Sequence, residues 1–328
     1  MFAVSQSKVN QWRRCKLAYH FQHREHLRPK VKSRPLYFGS TVHKMLEASA
    51  KGKDPRTALA EIAHRDEKLF REEREYYAKL IEDISFIWRA YKKYWAASPL
   101  SFVVIGNHQA EIPFAVKIDD AIEVKGTADG VVSHKNFNWL LEHKTHAEFP
   151  NADHRWRNLQ GAVYNSISKL LGWPKLQGLC WNYVRSKEPT RPKLLKSGKI
   201  SIAKDCDTLP EVVLDVLEEH KLNPDDYQEF IAKQEDNLHT WFERVWQPVQ
   251  EGVVKILWRE FLATSREMAD YYAKTDQPPP RTVDIHCKWC PYEKLCRAEL
   301  QGLDVDSVKQ LEYVFDDTPY QTGTEQAA

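Results

Sequence analysis

Two short stretches, Gly126-Thr127-Ala128-Asp129-Gly130 and Trp139-Leu140-Leu141-Glu142-His143-Lys144-Thr145, decide the fold expected for this 328-residue chain. Both have the composition of strands, and turn-forming residues separate them near 134–136. Because side chains alternate along a strand, Glu142 and Lys144 project from one face, and a hairpin brings Asp129 alongside them. Two carboxylates and an ammonium group are therefore expected to converge at the end of a sheet.

This set of side chains suits the hydrolysis of a phosphate ester. Magnesium and manganese prefer carboxylate oxygen and water, and a phosphodiester hydrolase activates such a bound water. Lys144 would orient or deprotonate that water and offset charge on the phosphorane. The structural alternative is that Asp129 caps a turn while Glu142 and Lys144 form a surface ion pair. The apolar run before Glu142 favours a site, because it places these charges at a sheet terminus.

Three residues outside the two strands are candidates for the same site. His43, in Gly39-Ser40-Thr41-Val42-His43, offers an imidazole as a third metal ligand, and Glu47 lies one helical turn later. Gln160 and Tyr164, also four residues apart, share one face of a helix and would contact a phosphate or the attacking water. The structural alternative for each is an ordinary packed or solvated helix position.

The apolar pattern predicts an α/β fold with a mixed central sheet flanked by helices. Alternation indicates strands at 112–118, 122–132, 137–145 and 178–184, with a crossover helix at about 153–171. Other helices are expected at 5–26, after an N-cap at Ser40, from Asp54 to about Trp95, at 208–221 and at 225–273. The expected parts are an N-terminal helical part (1–100), a core sheet (101–205), a C-terminal helical part (206–303) and a disordered tail (304–328).

Composition narrows the class of protein. No apolar run approaches the roughly 20 residues that a membrane helix needs, and the N-terminus lacks the layout of a signal peptide, so we expect a cytoplasmic protein without a membrane partner. Lys and Arg number 48 against 46 Asp and Glu, so any nucleic-acid surface has to be local. The segment 185–204 is expected to be an exposed basic loop or hairpin that contacts a DNA backbone. Arg155 and Arg157 would make the start of the crossover helix positive.

The six cysteines indicate a metal centre rather than a disulfide framework. Cys287, Cys290 and Cys296 follow a C-x2-C-x5-C spacing, and Cys15 is the candidate for a fourth ligand. Four cysteines suit zinc as well as an iron-sulfur cluster, so the spacing leaves the metal open. Cys180 and Cys206 have no partner at ligand spacing and are expected to be structural or free thiols.

Six short motifs, in order, resemble those of a known family. They are Ser5-x-Ser7 with Trp12-x-x-Cys15, Gly39-Ser40-x-x-His43, Gly126-Thr127-Ala128-Asp129-Gly130, Glu142-x-Lys144-Thr145, Gln160-x-x-x-Tyr164 and the terminal cysteine triplet. Together they resemble the RecB-like branch of the PD-(D/E)xK nucleases, and within it the CRISPR-associated and phage exonucleases that carry an iron-sulfur cluster. The resemblance spans residues 5 to 296. It departs from the family in lacking the proline before Asp129, and 186–275 is richer in helix than the motifs explain.

The resemblance implies a PD-(D/E)xK nuclease core with added helical N- and C-terminal parts. It implies magnesium or manganese bound by His43, Asp129 and Glu142, catalysis aided by Lys144, and a [4Fe-4S] cluster on Cys15, Cys287, Cys290 and Cys296. The expected activity is a DNA exonuclease acting from ends, on single strands, in recombination, repair, phage or CRISPR-related processing. A homo-oligomer is compatible with it, because some relatives form rings. The alternative is a non-catalytic DNA-binding or assembly protein built on a nuclease-like scaffold.

Overall fold

A computed structural model describes residues 1–31, 33–57, 59–60, 71–151, 155–203 and 205–316. The helices are α1 (Gln6–Arg14), α2 (Lys16–His23), α3 (Arg34–Ala50), α4 (Arg71–Tyr94), α5 (Leu159–Leu170), α6 (Pro210–Glu219), α7 (Gln228–Asp236), α8 (Glu251–Lys274), α9 (Glu293–Gln301) and α10 (Val305–Glu312). The strands are β1 (Phe2–Val4), β2 (Leu27–Pro29), β3 (Ser101–Phe102), β4 (Ala110–Lys117), β5 (Ile122–His134), β6 (Phe137–His146), β7 (Leu176–Arg185), β8 (Phe242–Pro248) and β9 (Tyr313–Phe315).

Strand β5 organises a seven-stranded mixed sheet. One of its edges pairs antiparallel with β4 and then β3, and the other pairs parallel with β1 and then antiparallel with β6. The β5–β6 turn consists of Lys135 and Asn136, whose φ angles are 49° and 64°. Two positive φ angles make a type I′ turn, which matches the strand twist and fixes the hairpin register. The predicted hairpin around 134–136 is confirmed.

The second half of the sheet is a crossover followed by a hairpin-like return. Helix α5 connects β6 to the parallel strand β7, as the strand-helix-strand pattern predicts, and β8 then pairs antiparallel with β7. At Gly178 the backbones of β7 and β8 come so close that a Cβ atom would lie 1.9 Å from the carbonyl oxygen of Gln247. Only glycine fits this position.

Helices cover both faces of the sheet. On one face, α1, α5 and α8 bury Trp12, Val163 and Phe261 against strand residues that include Trp181. On the other, α3, α4 and α6 form a second core with Val184, whose side chain points the opposite way from Trp181 and Tyr183 along β7. Burial on both faces explains the near-continuous apolar character of β6 and β7. None of the described helices combines the length and apolar composition needed to span a bilayer.

A separate two-stranded sheet joins the two ends of the described chain. Strand β2 pairs antiparallel with β9, Leu27 standing opposite Phe315. Beside it, Leu17, Phe21, Tyr292 and Leu295 form a small core that three of the cysteines contact. Residues 305–315 are thus ordered as α10 and β9, which corrects the disorder expected from residue 304; residues 317–328 lie outside the described part.

The single helix expected over 225–273 is wrong. Residues 242–248 form β8, and α7 and α8 lie on either side of it. The aromatic and β-branched residues of this segment fit helical spacing, yet they complete the edge of β7, and pairing with that edge outweighs local preference. Strands β1 and β8 therefore add to the sheet from outside the expected core range 101–205.

Helix α3 begins earlier than predicted. It starts at Arg34 after Ser33, with Pro35 in its first turn, where the missing N–H is harmless. Ser40 is thus inside the helix and not at its N-cap, and its hydroxyl donates to the carbonyl of Tyr37 at 3.0 Å. The helix expected from Asp54 to Trp95 is described as α4 from Arg71, and 58 and 61–70 lie outside the described residues.

Candidate active site

Three carboxylates face one another across three neighbouring strands. The register of β4 with β5 pairs Ala110 with Gly130 and Ile112 with Ala128, so Glu111 stands opposite Asp129. The β5–β6 hairpin pairs Gly130 with Leu141, which places Glu142 on the other side of Asp129. Residues in register share a face of the sheet. The fold therefore brings a row of acids, Glu111, Asp129 and Glu142, to one place.

Asp129 lies where β5 and β6 separate. Its Oδ2 accepts the backbone N–H of His143 at 2.5 Å. This side-chain hydrogen bond continues the connection between the strands beyond Gly130, where their backbone pairing ends. Glu111 also departs from regular strand geometry, with a φ of 52°. That value is rare for a residue other than glycine, and such strain is found at functional sites.

His43 reaches this row from α3. Its side chain is 10% exposed, and its Nδ1 lies 3.9 Å from the Oδ1 of Asp129. Burial, helped by the charge of Lys144, lowers the pKa of His43 to about 4, while a hydrogen bond with the backbone of His143 opposes this shift. Since Nδ1 has no hydrogen-bond partner, we place the proton on Nε2, facing that backbone. His43 thus presents a neutral nitrogen lone pair to the carboxylates, as a metal-ligating histidine does.

Lys144 joins the row of acids to the crossover helix. Its Nζ donates to Glu142 Oε1 at 2.7 Å and to Gln160 Oε1 at 3.0 Å. Tyr164, one turn further along α5, donates its hydroxyl to the carbonyl of Thr127 at 3.1 Å. Burial raises the pKa of Tyr164 well above its usual range, and a hydrogen bond with Gln160 opposes that shift. Gln160 and Tyr164 therefore fix Lys144 and the start of the Asp129 segment relative to each other.

Burial makes the three acids weaker than in water. Desolvation raises the pKa of Asp129 to about 6 and that of Glu142 to about 7, although Lys144 lowers both. Desolvation and the nearby charge of Asp129 raise the pKa of Glu111 to about 9. Like charges in a dry site resist ionisation together, so a cation bound among them would strongly favour the ionised forms.

The donor set fits a hard divalent cation. Ligand atoms of His43, Glu111 and Asp129 all lie within 4.8 Å of one another. Two buried atoms of the site residues have no hydrogen-bond partner, His43 Nδ1 and Glu142 Oε2. One nitrogen and several carboxylate oxygens suit magnesium or manganese better than a soft metal.

The structure places the sequence-predicted residues together in this way. His43, Asp129, Glu142, Lys144, Gln160 and Tyr164 all lie at the site. Glu142 is not in the ligand set within 4.8 Å; Lys144 donates to its Oε1, and its Oε2 has no hydrogen-bond partner. Glu111 was missed, although the alternating strand and the turn at 118–121 fix a register that sets it opposite Asp129.

The proposed positive start of the crossover helix is only partly present. Helix α5 is capped by Asn158, whose side chain accepts the N–H of Gly161, and Arg155 lies 3.6 Å from Glu243. Trp181 and Tyr183 are 2% and 1% exposed. Their burial between the sheet and the helices leaves their rings unavailable for stacking on a nucleic-acid base, whereas Trp156, near the start of α5, is 46% exposed.

The four cysteines also come together. Cys15 lies between α1 and α2 in extended conformation, which breaks the single helix expected over 5–26. Burial raises the pKa of Cys290 to about 11, and the Cys15, Cys287 and Cys296 thiols all act on it from close by. Cys296 Sγ accepts from Arg281 Nη1 at 3.2 Å, and Cys287 Sγ accepts from the N–H of Asp284 at 3.5 Å. Cys180 is buried in the sheet and Cys206 packs beside α6, apart from this group.

The comparisons agree with this geometry. A model of the PD-(D/E)XK nuclease superfamily matches residues 3–297, which is nearly the whole described chain. Curated protein sequences give no match. The match covers the sheet, the row of acids, Lys144 and the cysteine triplet, and it implies a divalent metal and DNA as the substrate. The chain belongs to the PD-(D/E)XK nuclease superfamily.

Proposed function

We propose that this protein is a metal-dependent exonuclease that hydrolyses phosphodiester bonds from DNA ends, acting on single strands. One observation carries the proposal. Glu111, Asp129 and Glu142 form a row across three strands, with the unpartnered Nδ1 of His43 beside them and Lys144 within hydrogen-bonding distance of Glu142. The preference for ends and single strands is supported by the resemblance to RecB-like exonucleases.

His43, Asp129 and Glu142 would hold magnesium or manganese, and Glu111 would complete the set. Once bound, the cation supplies a more acidic water and stabilises charge on the phosphate. The chain itself orients the groups around it. The N–H of His143 fixes one oxygen of Asp129, which leaves Oδ1 directed at His43. The neutral His43 ring contributes a lone pair at neutral pH.

Lys144 is the group that would act on the attacking water. Its Nζ is fixed between Glu142 and Gln160, so its third hydrogen is directed by the geometry of those two bonds. As an ammonium it orients the water and offsets charge on the phosphorane; deprotonating the water would first require it to lose that third hydrogen. Gln160 and Tyr164 are positioning residues: one holds Lys144, and the other ties α5 to the strand that carries Asp129.

A [4Fe-4S] cluster on Cys15, Cys287, Cys290 and Cys296 is the second part of the proposal. The N–H···S contacts from Arg281 and Asp284 are of the kind that stabilise cluster thiolates. Tetrahedral zinc, with Zn–S bonds of about 2.3 Å, draws its sulfurs to within roughly 4 Å of each other. Four cysteine thiolates would suit either centre, and the resemblance to iron-sulfur nucleases is what favours the cluster.

The role of such a centre would be structural. It connects the α1–α2 junction to the segment that precedes β9, and it thereby closes a loop of nearly the whole chain. The proposed setting is the cytoplasm, in recombination, repair, phage or CRISPR-related DNA processing. We also propose that the protein forms a homo-oligomer, and the resemblance to RecB-like exonucleases is the support for this.

The test is digestion of end-labelled linear and circular single strands with magnesium or manganese. We expect the linear strand to be degraded and the circle to survive, and both Glu142→Ala and Lys144→Ala to abolish digestion while remaining folded. Degradation of the circular strand would indicate an endonuclease and contradict the proposed exonuclease activity. Unimpaired digestion by either folded variant would contradict the proposed site. A folded wild-type protein that binds DNA but cleaves neither substrate would support the non-catalytic alternative.

A further inference from the structure

The segment between β7 and β8 leaves and rejoins the sheet at the end that carries the candidate site. Arg185, the last residue of β7, pairs with His146, two residues beyond Lys144. The chain returns at Phe242, which pairs with Val184. Residues 186–241 are therefore anchored at both ends beside the row of acids.

This insertion packs against α3, the helix that carries His43, and against α4. Leu209, just before α6, and Val212 within it pack in the same core as Val42 of α3 and Ile84 of α4. At its base, Arg185 donates to Asp207 at 2.8 Å, and Arg34 donates to the carbonyl of Ser186 at 2.6 Å. The insertion is thus held in a defined position relative to the site.

A short hairpin projects from the insertion. Ser201 N–H donates to the carbonyl of Lys193, and Leu195 N–H donates to that of Lys199, both at 2.8 Å. The turn uses Gly198 at a φ of 76°, a value that favours glycine. Ile200 is 2% exposed and packs against the core that contains Val213 and Tyr227. The hairpin, residues 193–201, is therefore anchored by one buried side chain.

The basic residues of 185–199 fall into two groups. Arg185 and Lys187 pair with Asp207, and Arg191 pairs with Asp215 and Glu219. By contrast, the three lysines of the hairpin are exposed and form no ion pair with any residue that the structure describes; they are Lys193, Lys196 and Lys199. Among the described residues, the hairpin thus concentrates three exposed lysines that no ion pair neutralises.

Apolar side chains accompany these charges. Leu194 and Leu195 are each 48% exposed on the hairpin, and Ile202 is 60% exposed directly after it. Cations with accessible apolar groups suit a polymer that combines phosphates with unpaired bases, and a single nucleic-acid strand is such a polymer.

We propose that the 193–201 hairpin grips the backbone of the single DNA strand that enters the site, with Lys193, Lys196 and Lys199 contacting phosphates. This inference rests on the proposed function, because the DNA strand that the hairpin contacts is the proposed substrate of the candidate active site. The hairpin contributes to binding and takes no part in the chemistry.

The experiment compares two triple variants in a Glu142→Gln background, so that binding is measured without digestion. K193Q/K196Q/K199Q removes the hairpin charges. K135Q/K175Q/K255Q removes three other exposed lysines, all at the opposite end of the sheet, and has the same net charge. Fluorescence anisotropy with labelled oligothymidylate at several salt concentrations gives the Kd and its salt dependence. A third variant, K193R/K196R/K199R, keeps the charge.

We expect the hairpin variant to bind roughly tenfold more weakly and to lose about two units of slope in a plot of log K against log salt, since each phosphate contact in a single strand contributes about 0.7. The arginine variant and the opposite-end variant should bind almost as the background protein does. Equal weakening in the two glutamine variants, or none in the hairpin variant, would overturn the inference. Binding is measured apart from hydrolysis. If the wild-type protein proved unable to cleave DNA, the proposed nuclease activity would be rejected, and the measured role of the hairpin in DNA binding would be unaffected.

Discussion

The Nδ1 of His43 lies 3.9 Å from the Oδ1 of Asp129, and this pair links helix α3 to strand β5 at the point where the β5–β6 ladder ends. Neither atom is used by regular secondary structure. Asp129 is held by the N–H of His143 through its other oxygen, and His43 Nδ1 has no hydrogen-bond partner. Buried polar atoms are normally paired, so this arrangement points to a ligand between helix and strand.

The first prediction concerns the stability gained from metal. Manganese should raise the Tm of the wild-type protein, because a ligand that binds only the folded state stabilises it by mass action. His43→Ala should lose most of that rise and most of the digestion activity. His239→Ala is the control, since His239 is exposed and its ring bonds, among the described residues, to the carbonyl of Asp236. An equal manganese shift in His43→Ala would exclude His43 as a ligand.

The second prediction is a loss of stability with rising pH in the absence of divalent metal. Burial raises the pKa of Glu142 from 4.5 to about 7 and that of Glu111 from 4.5 to about 9. A raised carboxyl pKa stabilises the fold fully below the unfolded value, and the effect is lost as pH rises through the folded value. His43 and His143, whose pKa values are lowered, act in the opposite direction, but only below about pH 6.5.

Between about pH 6.5 and 9 the carboxyls should therefore dominate. Urea midpoints of the chelated protein should fall across this range, and manganese should reduce or reverse the fall because it displaces the protons. A midpoint that rises across this range without metal would show that these acids are ionised in the folded protein.

The third prediction separates the two effects of Glu111. Glu111→Gln removes the acid with the most strongly raised pKa, so the metal-free variant should be more stable than the wild type near pH 9. The same change removes a ligand atom, so the manganese concentration needed for half-maximal digestion should rise. Glu123→Gln, on the same hairpin, serves as the control. An unchanged manganese requirement would leave Glu111 with a structural role only.

The fourth prediction treats Gln160 as a positioning residue. Gln160→Leu removes the oxygen that holds Lys144 while retaining the volume, so kcat should fall by about tenfold to a hundredfold with little change in KM. Gln160→Glu keeps an acceptor and should recover part of the rate. A rise in KM at constant kcat would indicate that Gln160 contacts the substrate instead.

The fifth prediction concerns the cysteine centre. Protein purified without oxygen should be brown, and Cys290→Ser should lose both the colour and much of the thermal stability, because the ligands join the α1–α2 junction to the last segment of the chain. Cys206→Ser, which alters a thiol beside α6, should change neither. A colourless protein that contains stoichiometric zinc would show that the four cysteines bind zinc and not an iron-sulfur cluster.

Much of the site follows from local pattern. Strand alternation and a two-residue turn suffice to place Asp129 beside Glu142 and Lys144, and spacing of four residues places Gln160 and Tyr164 on one helix face. Glu111 was accessible by the same reasoning, because its hairpin register is equally regular. His43 is different, since its approach depends on how α3 packs against the sheet, which the motif resemblance implies and local pattern does not.

The features that sequence reasoning missed depend on distant partners. Strand β8 exists because β7 has a free edge, and its residues fit a helix equally well when considered alone. Strands β1 and β9 have three residues each, too few for a periodic signal, and are defined by their pairing with β5 and β2. The break at Cys15 likewise separates two segments that form one continuous helical pattern in the sequence.

The most direct test of the central claim is anomalous diffraction from crystals soaked in manganese. We expect one strong peak bounded by His43 Nδ1, Asp129 and Glu142, with Glu111 adjacent, and no such peak in Asp129→Asn crystals. Manganese bound elsewhere in a protein that digests DNA, with the space between His43 and Asp129 vacant, would contradict it.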